Sequence, residues 1–188
     1  MRDLSLHLLD IAQNSIRAGA ALVTMRVILD GKGLLTMAVE DDGTGMDAET
    51  ARRVLDPFVT SRTERKVGLG LPLLKDNAEK TGGSLRIASI PGQGTAVTAV
   101  FHADHIDCIP LGDLPGTVLA LVTACPEKPD FDFCMTTPGG EASLDTREVR
   151  KALAGVPMTT PEVIAWMASS LKDEIEQITG GTDHEIHR

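Results

Sequence analysis

The sequence predicts an α+β protein with two layers, a mixed or antiparallel sheet covered by helices on one face. Over residues 1–104 the predicted order is helix, two strands, short helix, loop, helix and two strands. Each pair of strands is joined by a short glycine-containing turn, which is typical of β-hairpins. Helices and hairpins that each carry one apolar face bury those faces against each other, and this predicts the two-layer arrangement.

The elements follow from local patterns. The segment "LSLHLLDIAQNSIRAGA" begins at Leu4 and is mostly apolar with helical spacing. Alternating apolar residues then predict a strand over Val23–Leu29, a turn over Asp30–Gly33 and a returning strand. "DAETARRVLD" supplies an N-cap and a short helix, and "GLPLLKDNAEKTGG" a longer helix that stops at glycine. "SLRIASI" and "TAVTAVFH" predict the second hairpin.

Residues 105–188 are predicted to form a ββαα extension. We interpret "TVLALVTACP" and "DFDFCMTT" as strands, "PGGEASLD" as a loop, and "DTREVRKALAG" and "TTPEVIAWMASSLKDEIEQITGG" as helices. The sequence therefore predicts a division into residues 1–104 and residues 105–188. The second segment is expected either to complete the sheet or to serve as a docking module.

Composition narrows the function classes. The chain has 188 residues, 42% of them hydrophobic, and no apolar run of the length that crosses a membrane. A net charge of −9 and the absence of a basic run argue against nucleic acid or an anionic membrane as the main partner. Three cysteines without close pairing suit a reducing compartment, so we expect a cytoplasmic protein. Composition leaves the oligomeric state open.

Three groups of polar and glycine residues point to a nucleotide site. Asp10 and Asn14 are four residues apart and share a helix face. "EDDGTGMD" places Asp41, Gly43 and Gly45 in a sharp turn after a strand, where a carboxylate can accept a hydrogen bond from an exocyclic amine. Glycine-rich backbone that opens a helix can hold phosphate, because unpaired N–H groups point outward there. The residues of this third group are Arg62, Lys66, Gly68, Leu69, Gly70 and Leu71.

The order of these motifs resembles the Bergerat-fold ATPases, the superfamily of gyrase B, heat-shock chaperones, histidine kinases and MutL. "DIAQNSIRAGA" resembles the N box, with some MutL character, and "DDGTGM" the first glycine box. "DPFVTSR" is similar to a short phenylalanine box and "VGLGLPLLK" to the second glycine box. The closing "GGSLRIASIPGQGTAVTAVF" is similar to histidine-kinase catalytic domains. The resemblance covers residues 4–101, about half of the chain.

The resemblance implies ATP and Mg²⁺ as cofactors. Asn14 corresponds to the Mg²⁺ ligand, and Asp10 to the position of the water-activating glutamate of hydrolytic members. Because aspartate is one methylene shorter, we expect slow hydrolysis. Arg17 corresponds to a basic residue near the phosphates in kinases. The remaining implied contacts are Asp41 with the adenine amino group, Gly45 beside the ring, Thr95 at the same edge, Arg62 and Lys66 facing the phosphates, Gly68 and Gly70 at the lid hinge, and Phe58 at the lid base.

Two function classes remain open from the sequence. Sensor kinases carry a phosphoacceptor histidine in a helical hairpin before the N box, and this sequence opens at the N box. We therefore expect a signalling kinase that acts in trans on a protein partner. The alternative is a nucleotide-dependent switch or slow ATPase that regulates a partner complex. A metal site formed by His102, His105 and Cys108 is a weaker alternative, since their spacing matches no familiar zinc motif.

Overall fold

The structure, a computed structural model, describes residues 2–56 and 70–180. The helices are α1 (Leu4–Arg17), α2 (Ala48–Arg53), α3 (Gly70–Lys80), α4 (Leu114–Ala124), α5 (Thr146–Leu153) and α6 (Pro161–Thr179). The strands are β1 (Leu22–Leu29), β2 (Leu34–Asp41), β3 (Ser84–Ile90), β4 (Gly94–His102), β5 (Asp130–Thr137) and β6 (Gly140–Asp145). The predicted α+β class is confirmed.

The strands form one six-stranded sheet in the order β3-β4-β2-β1-β5-β6. Neighbouring strands are antiparallel except β1 and β5, which are parallel. The sheet therefore has the mixed, mostly antiparallel character that the sequence predicts. Strands from both predicted segments contribute to it, since β5 and β6 come from residues after 104.

The helices α3, α1, α4 and α6 form a row in which each contacts the next, and each also contacts the sheet. Alternate residues of the central strands face this row and are buried, among them Met25, Met37 and Phe133. Because strand side chains alternate between faces, this pattern leaves the other face with half-exposed residues such as Thr24 and Thr98. The core thus lies between one sheet and one helical layer.

Helix α1 is fixed at both ends by local chemistry. The side chain of Asp3 accepts from the Leu6 backbone N–H at 2.9 Å and caps the first turn. The helix ends at Arg17, and Gly19 follows with a positive φ of 71°. The observed end is three residues earlier than the end of the predicted helical segment, because this glycine turns the chain into β1.

Two predictions for the C-terminal segment are wrong. Residues 117–126, predicted as a strand, lie mostly in α4. An uninterrupted apolar run cannot distinguish a buried strand from a buried helix, and the cap formed by Asp113, which accepts from Gly116 N–H at 2.8 Å, decides for the helix. The predicted loop "PGGEASLD" contains β6, in which Ala142 and Leu144 face the core. The order after residue 104 is therefore αββαα instead of ββαα.

No helix in the described part of the chain is both long and apolar enough to cross a membrane.

Candidate functional site

Three elements converge around Asp41, the last residue of β2. Asp41 lies opposite Thr95 in the antiparallel pairing of β2 and β4. The turn after β2 contacts the end of α1, where the Thr44 N–H donates to the Ala18 carbonyl at 3.0 Å. The structure therefore brings together the end of the N-box helix, the glycine turn and the fourth strand.

The carboxylate of Asp41 is held at both oxygens. Oδ1 accepts from the Gly43 N–H at 2.9 Å, and Oδ2 accepts from the Ser15 hydroxyl at 2.6 Å. Ser15 was not among the predicted site residues. A signal was present, because Leu8, Ile11 and Ser15 share one buried helical stripe and a hydroxyl is unexpected there.

The glycines allow close packing of the turn. A Cβ at Gly43 would lie 2.9 Å from the Ala18 Cβ, so a side chain would push the turn away from α1. Gly45 has a positive φ of 63°, and a Cβ there would overlap the Ile90 carbonyl. Gly94, which sequence reasoning missed, has a φ of 109° and packs against the Asp41 carbonyl. Backbone packing thus accounts for all three positions.

Thr95 belongs to a small network of hydroxyl groups. Its Oγ1 lies 2.9 Å from Ser89 Oγ, which also accepts from the Met46 N–H at 2.7 Å. Ser89 Oγ is 3.1 Å from the Gly94 carbonyl, the acceptor for its single proton. When Ser89 donates to the Gly94 carbonyl, the Thr95 hydroxyl can donate to Ser89 and accept from a third group.

The neighbouring Asp42 fastens the same turn to β1. Its Oδ1 accepts from the N–H groups of Ala21 at 2.7 Å and Leu22 at 2.9 Å. The hydrogen bonds from Leu22 and Ala21 lower the pKa of the Asp42 carboxyl below its ordinary value. Asp42 is therefore a structural anchor, whereas Asp41 faces the site.

Asp10, Asn14 and Arg17 follow one another along α1. Arg17 Nη1 donates to Asn14 Oδ1 at 2.8 Å. Asp10 is half-buried, and its Oδ2 is buried without a hydrogen-bond partner among the described residues. Because an orphaned carboxylate oxygen is costly, this oxygen fits a site that takes a cation or an ordered water. The side-chain oxygen of Asn14 is of the type that Mg²⁺ prefers as a ligand.

Part of the predicted site lies outside the described residues: Phe58, Arg62, Lys66, Gly68 and Leu69. Gly70 begins α3 and is buried. Leu71 is half-buried and packs against the core. The roles of these residues in nucleotide binding remain predictions.

The alternative metal group is not brought together. His102 and His105 line an open groove of about 480 Å³ with Asp104 and Ile106. Cys108 is buried, and burial raises the pKa of its thiol. Among the described residues, no group of three or more His, Cys, Asp or Glu side chains could hold a metal ion.

The class of this domain follows from three features: the six-stranded mixed sheet, the single helical layer, and the Asp-x-Gly-x-Gly turn beside the first helix. It is an α+β domain of the Bergerat-fold type, also called GHKL ATPases. The chain belongs to the family described as histidine kinase-, DNA gyrase B-, and HSP90-like ATPase, whose sequence model matches residues 2–105. The expected superfamily is therefore confirmed.

The curated relatives include sensor kinases. The chain is 34% identical over 110 residues to the non-motile and phage-resistance protein of Caulobacter vibrioides, covering 53% of this chain and 13% of that protein. It is 30% identical over 93 residues to sensor histidine kinase ZraS of Klebsiella oxytoca, covering 48% of this chain and 20% of that protein. The matched segment is thus at most a fifth of either relative.

Among solved structures, the N-terminal domain of a DNA repair protein is similar, with a TM-score of 0.52 and 14% sequence identity. The similarity covers 97% of this chain and 58% of the other. At this identity the structural similarity shows the fold alone. The similar region extends beyond residue 105 and includes the C-terminal strands and helices.

Proposed function

We propose that this chain binds ATP with Mg²⁺ at the site around Asp41 and acts in trans as a signalling protein kinase. The observation that carries the proposal is the Asp41 carboxylate, which Ser15 and Gly43 hold at the end of β2, opposite Thr95. A fixed acceptor of this kind suits the exocyclic amino group of adenine. The ATPase family and the sensor-kinase relatives support the same reading.

The residues divide into a base end and a phosphate end. At the base end, Asp41 accepts from the adenine amino group, Thr95 accepts at the same edge, and Gly45 leaves room for the ring. At the phosphate end, Asn14 would hold Mg²⁺ through Oδ1 and Arg17 would interact with the phosphates. Bound Mg²⁺ supplies charge neutralisation of the phosphate oxygens.

The contacts proposed for the remaining residues follow the same division. Those toward the phosphates and the lid are Arg62, Lys66, Gly68, Leu69, Gly70, Leu71 and Phe58. In the transfer, an acceptor nitrogen or oxygen would form a bond to the γ-phosphorus while the bond from the γ-phosphorus to the β–γ bridging oxygen breaks, so that ADP leaves and the acceptor releases its proton to solvent.

The placement of the histidines supports action in trans. An acceptor must approach the reacting atom within about 3 to 3.5 Å. His7 is 1% exposed and is fixed inside the helical layer. His102 is seven residues beyond Thr95 along β4, which corresponds to about 23 Å in an extended strand. His105 follows His102 and lines the same groove. The histidines of the described residues therefore lie away from Asp41 and Thr95, which supports an acceptor on a partner protein.

One observation favours a second candidate, the nucleotide-dependent switch. The C-terminal segment is joined to α1, since α4 packs against α1 and β5 pairs with β1. A movement of α1 on nucleotide binding would therefore reach the C-terminal segment directly. Asp10, as a short base, would keep hydrolysis slow and the ATP-bound state long-lived.

Calorimetry with Mg²⁺ and ATP or GTP tests the site. Asp41→Ala should weaken ATP binding by about 1.5 to 3 kcal/mol, the scale of a hydrogen bond to a charged group, or about 10- to 100-fold. GTP should bind poorly because guanine presents a carbonyl at the position of the adenine amine. Asp47→Asn is the matched control, since Asp47 caps α2 at the surface. Equal affinity for ATP and GTP would contradict the proposal.

Labelling with γ-³²P-ATP separates the two functions. The isolated chain should incorporate almost no label, whereas a protein that copurifies with it should become labelled if the chain is a kinase. Acid treatment then distinguishes phosphohistidine, which is labile, from phosphoserine and phosphothreonine. If ATP changes only the affinity of the complex, the switch is supported instead. Stoichiometric self-labelling of the isolated chain would exclude both.

A further inference from the structure

The buried hydroxyl of Ser15 carries an inference beyond the residues assigned above. Ser15 follows Asn14 directly in α1, yet it lies on the core side of the helix and is 2% exposed. A buried hydroxyl needs a hydrogen-bond partner, because an unpaired one loses its hydration without compensation. The identity of that partner therefore decides what Ser15 does.

The single proton of Ser15 has two candidate acceptors. The Ile11 carbonyl, one turn earlier in α1, lies 3.4 Å from Ser15 Oγ, and Asp41 Oδ2 lies 2.6 Å away. A distance of 2.6 Å is typical of a hydroxyl that donates to a carboxylate, whereas 3.4 Å is long for any O–H···O bond. The Ser15 hydroxyl thus donates to the Asp41 carboxylate and not to the Ile11 carbonyl of its own helix.

This bond completes the constraint on the Asp41 side chain. The Gly43 N–H fixes Oδ1 from within the turn, and Ser15 fixes Oδ2 from the facing helix. A carboxylate held at only one oxygen can rotate about its Cβ–Cγ bond, but one held at both has a fixed plane. The lone pairs that remain then point in fixed directions.

We propose that Ser15 is a positioning residue for base selectivity, which orients the Asp41 carboxylate toward an exocyclic amino group of a purine nucleotide. This inference rests on the proposed nucleotide site. Ser15 itself touches no nucleotide atom and acts only through Asp41. Its loss should therefore reduce affinity for a base that carries the amine far more than affinity for a base that lacks it.

The test compares ATP with purine riboside triphosphate, which has no 6-amino group, by calorimetry on the full chain with Mg²⁺. The parent should bind ATP about 10- to 100-fold more tightly than purine riboside triphosphate. Ser15→Ala should weaken ATP binding roughly tenfold and change the affinity for purine riboside triphosphate by no more than about twofold. The preference for ATP over purine riboside triphosphate should therefore become smaller. Ser15→Thr keeps the hydroxyl and should retain most of the preference for ATP over purine riboside triphosphate. The midpoints of urea unfolding show whether each variant is folded.

Ser5→Ala is the matched control. Ser5 is another buried serine of α1, and its hydroxyl donates to the Asp3 carboxylate at 2.7 Å, far from Asp41. A purely structural effect of losing such a bond would change the affinities for the two nucleotides equally in both variants. Unchanged selectivity in folded Ser15→Ala would overturn the inference. A parent that binds neither nucleotide would overturn the proposed nucleotide site, and a parent that binds both equally would overturn the recognition of the amino group by Asp41; either result would overturn this inference as well.

Discussion

Residues 2–105 and 106–180 share one sheet and one core, but their polar groups are used differently. In the first region, buried or half-buried hydroxyl and carboxylate groups converge on the end of β2, as in the Ser15–Asp41 bond. In the second region, the charged groups form pairs at the rim, such as Arg147 with Asp145 at 2.7 Å and Arg150 with Asp130 at 2.9 Å. The first region therefore contains the candidate site, and the second extends the sheet on which that site lies.

This contrast predicts that the first region is incomplete without the second. Removal of residues 105–188 would leave β1 as an unpaired edge and would expose the side of α1 that packs on α4. Since such an edge and such an apolar surface promote aggregation, we expect insoluble protein. The measurement is the soluble fraction, followed by circular dichroism of any soluble material.

The full chain offers a companion measurement. Trp166 is the single tryptophan and lies in α6, so its fluorescence reports on the second region. Unfolding in urea should give the same midpoint by Trp166 fluorescence and by far-ultraviolet circular dichroism. A soluble, ATP-binding fragment, or two separated midpoints, would show that the regions are independent.

A second prediction concerns the buried imidazole of the first region. His7 Nε2 lies 3.1 Å from Asn77 Nδ2 of α3, and burial lowers the pKa of His7 from 6.5 to about 4. The neutral imidazole is thus favoured in the fold, whereas the unfolded chain takes up a proton near pH 6.5. Stability should fall as pH is lowered from about 6.5 to about 4, by about 3 kcal/mol from this group.

Urea unfolding of the parent and of His7→Gln at pH 7, 6, 5 and 4 measures this contribution. Glutamine does not titrate and can still contact Asn77, so the variant should lose less stability across that interval. Carboxylates with lowered pKa values, such as Asp42 and Asp145, lose their stabilisation at lower pH in both proteins and cancel in the difference. Parallel curves for the two proteins would show that folding does not lower the pKa of His7.

The two regions also differ in what sequence could predict. In the first region the Asp-x-Gly-x-Gly spacing singled out Asp41 and the family resemblance singled out Thr95, and the structure pairs these two residues across β2 and β4. Ser15 escaped because its partner is 26 residues away, and only folding makes them neighbours. In the second region α4 was misassigned, since Val118 and Val122 favour strands locally, whereas the cap formed by Asp113 begins a helix there.

The smallest expected effect lies at the seam between the regions, where β1 pairs with β5. Arg26 Nη1 and Nη2 contact Asp132 Oδ1 and Oδ2 at 3.0 and 2.8 Å, and Nη1 also donates to the Asp132 carbonyl at 3.0 Å. The side chains are about one-third and one-fifth exposed, so water screens the pair only in part. We expect a coupling free energy of about 1 kcal/mol in a double-mutant cycle with Arg26→Met and Asp132→Asn. The exposed Lys151–Glu148 pair of α5 is the control and should give a value near zero. If 1 M salt removes the Arg26–Asp132 coupling entirely, the pair is an ordinary surface contact, and the two regions are joined by the pairing of β1 with β5 and by apolar packing.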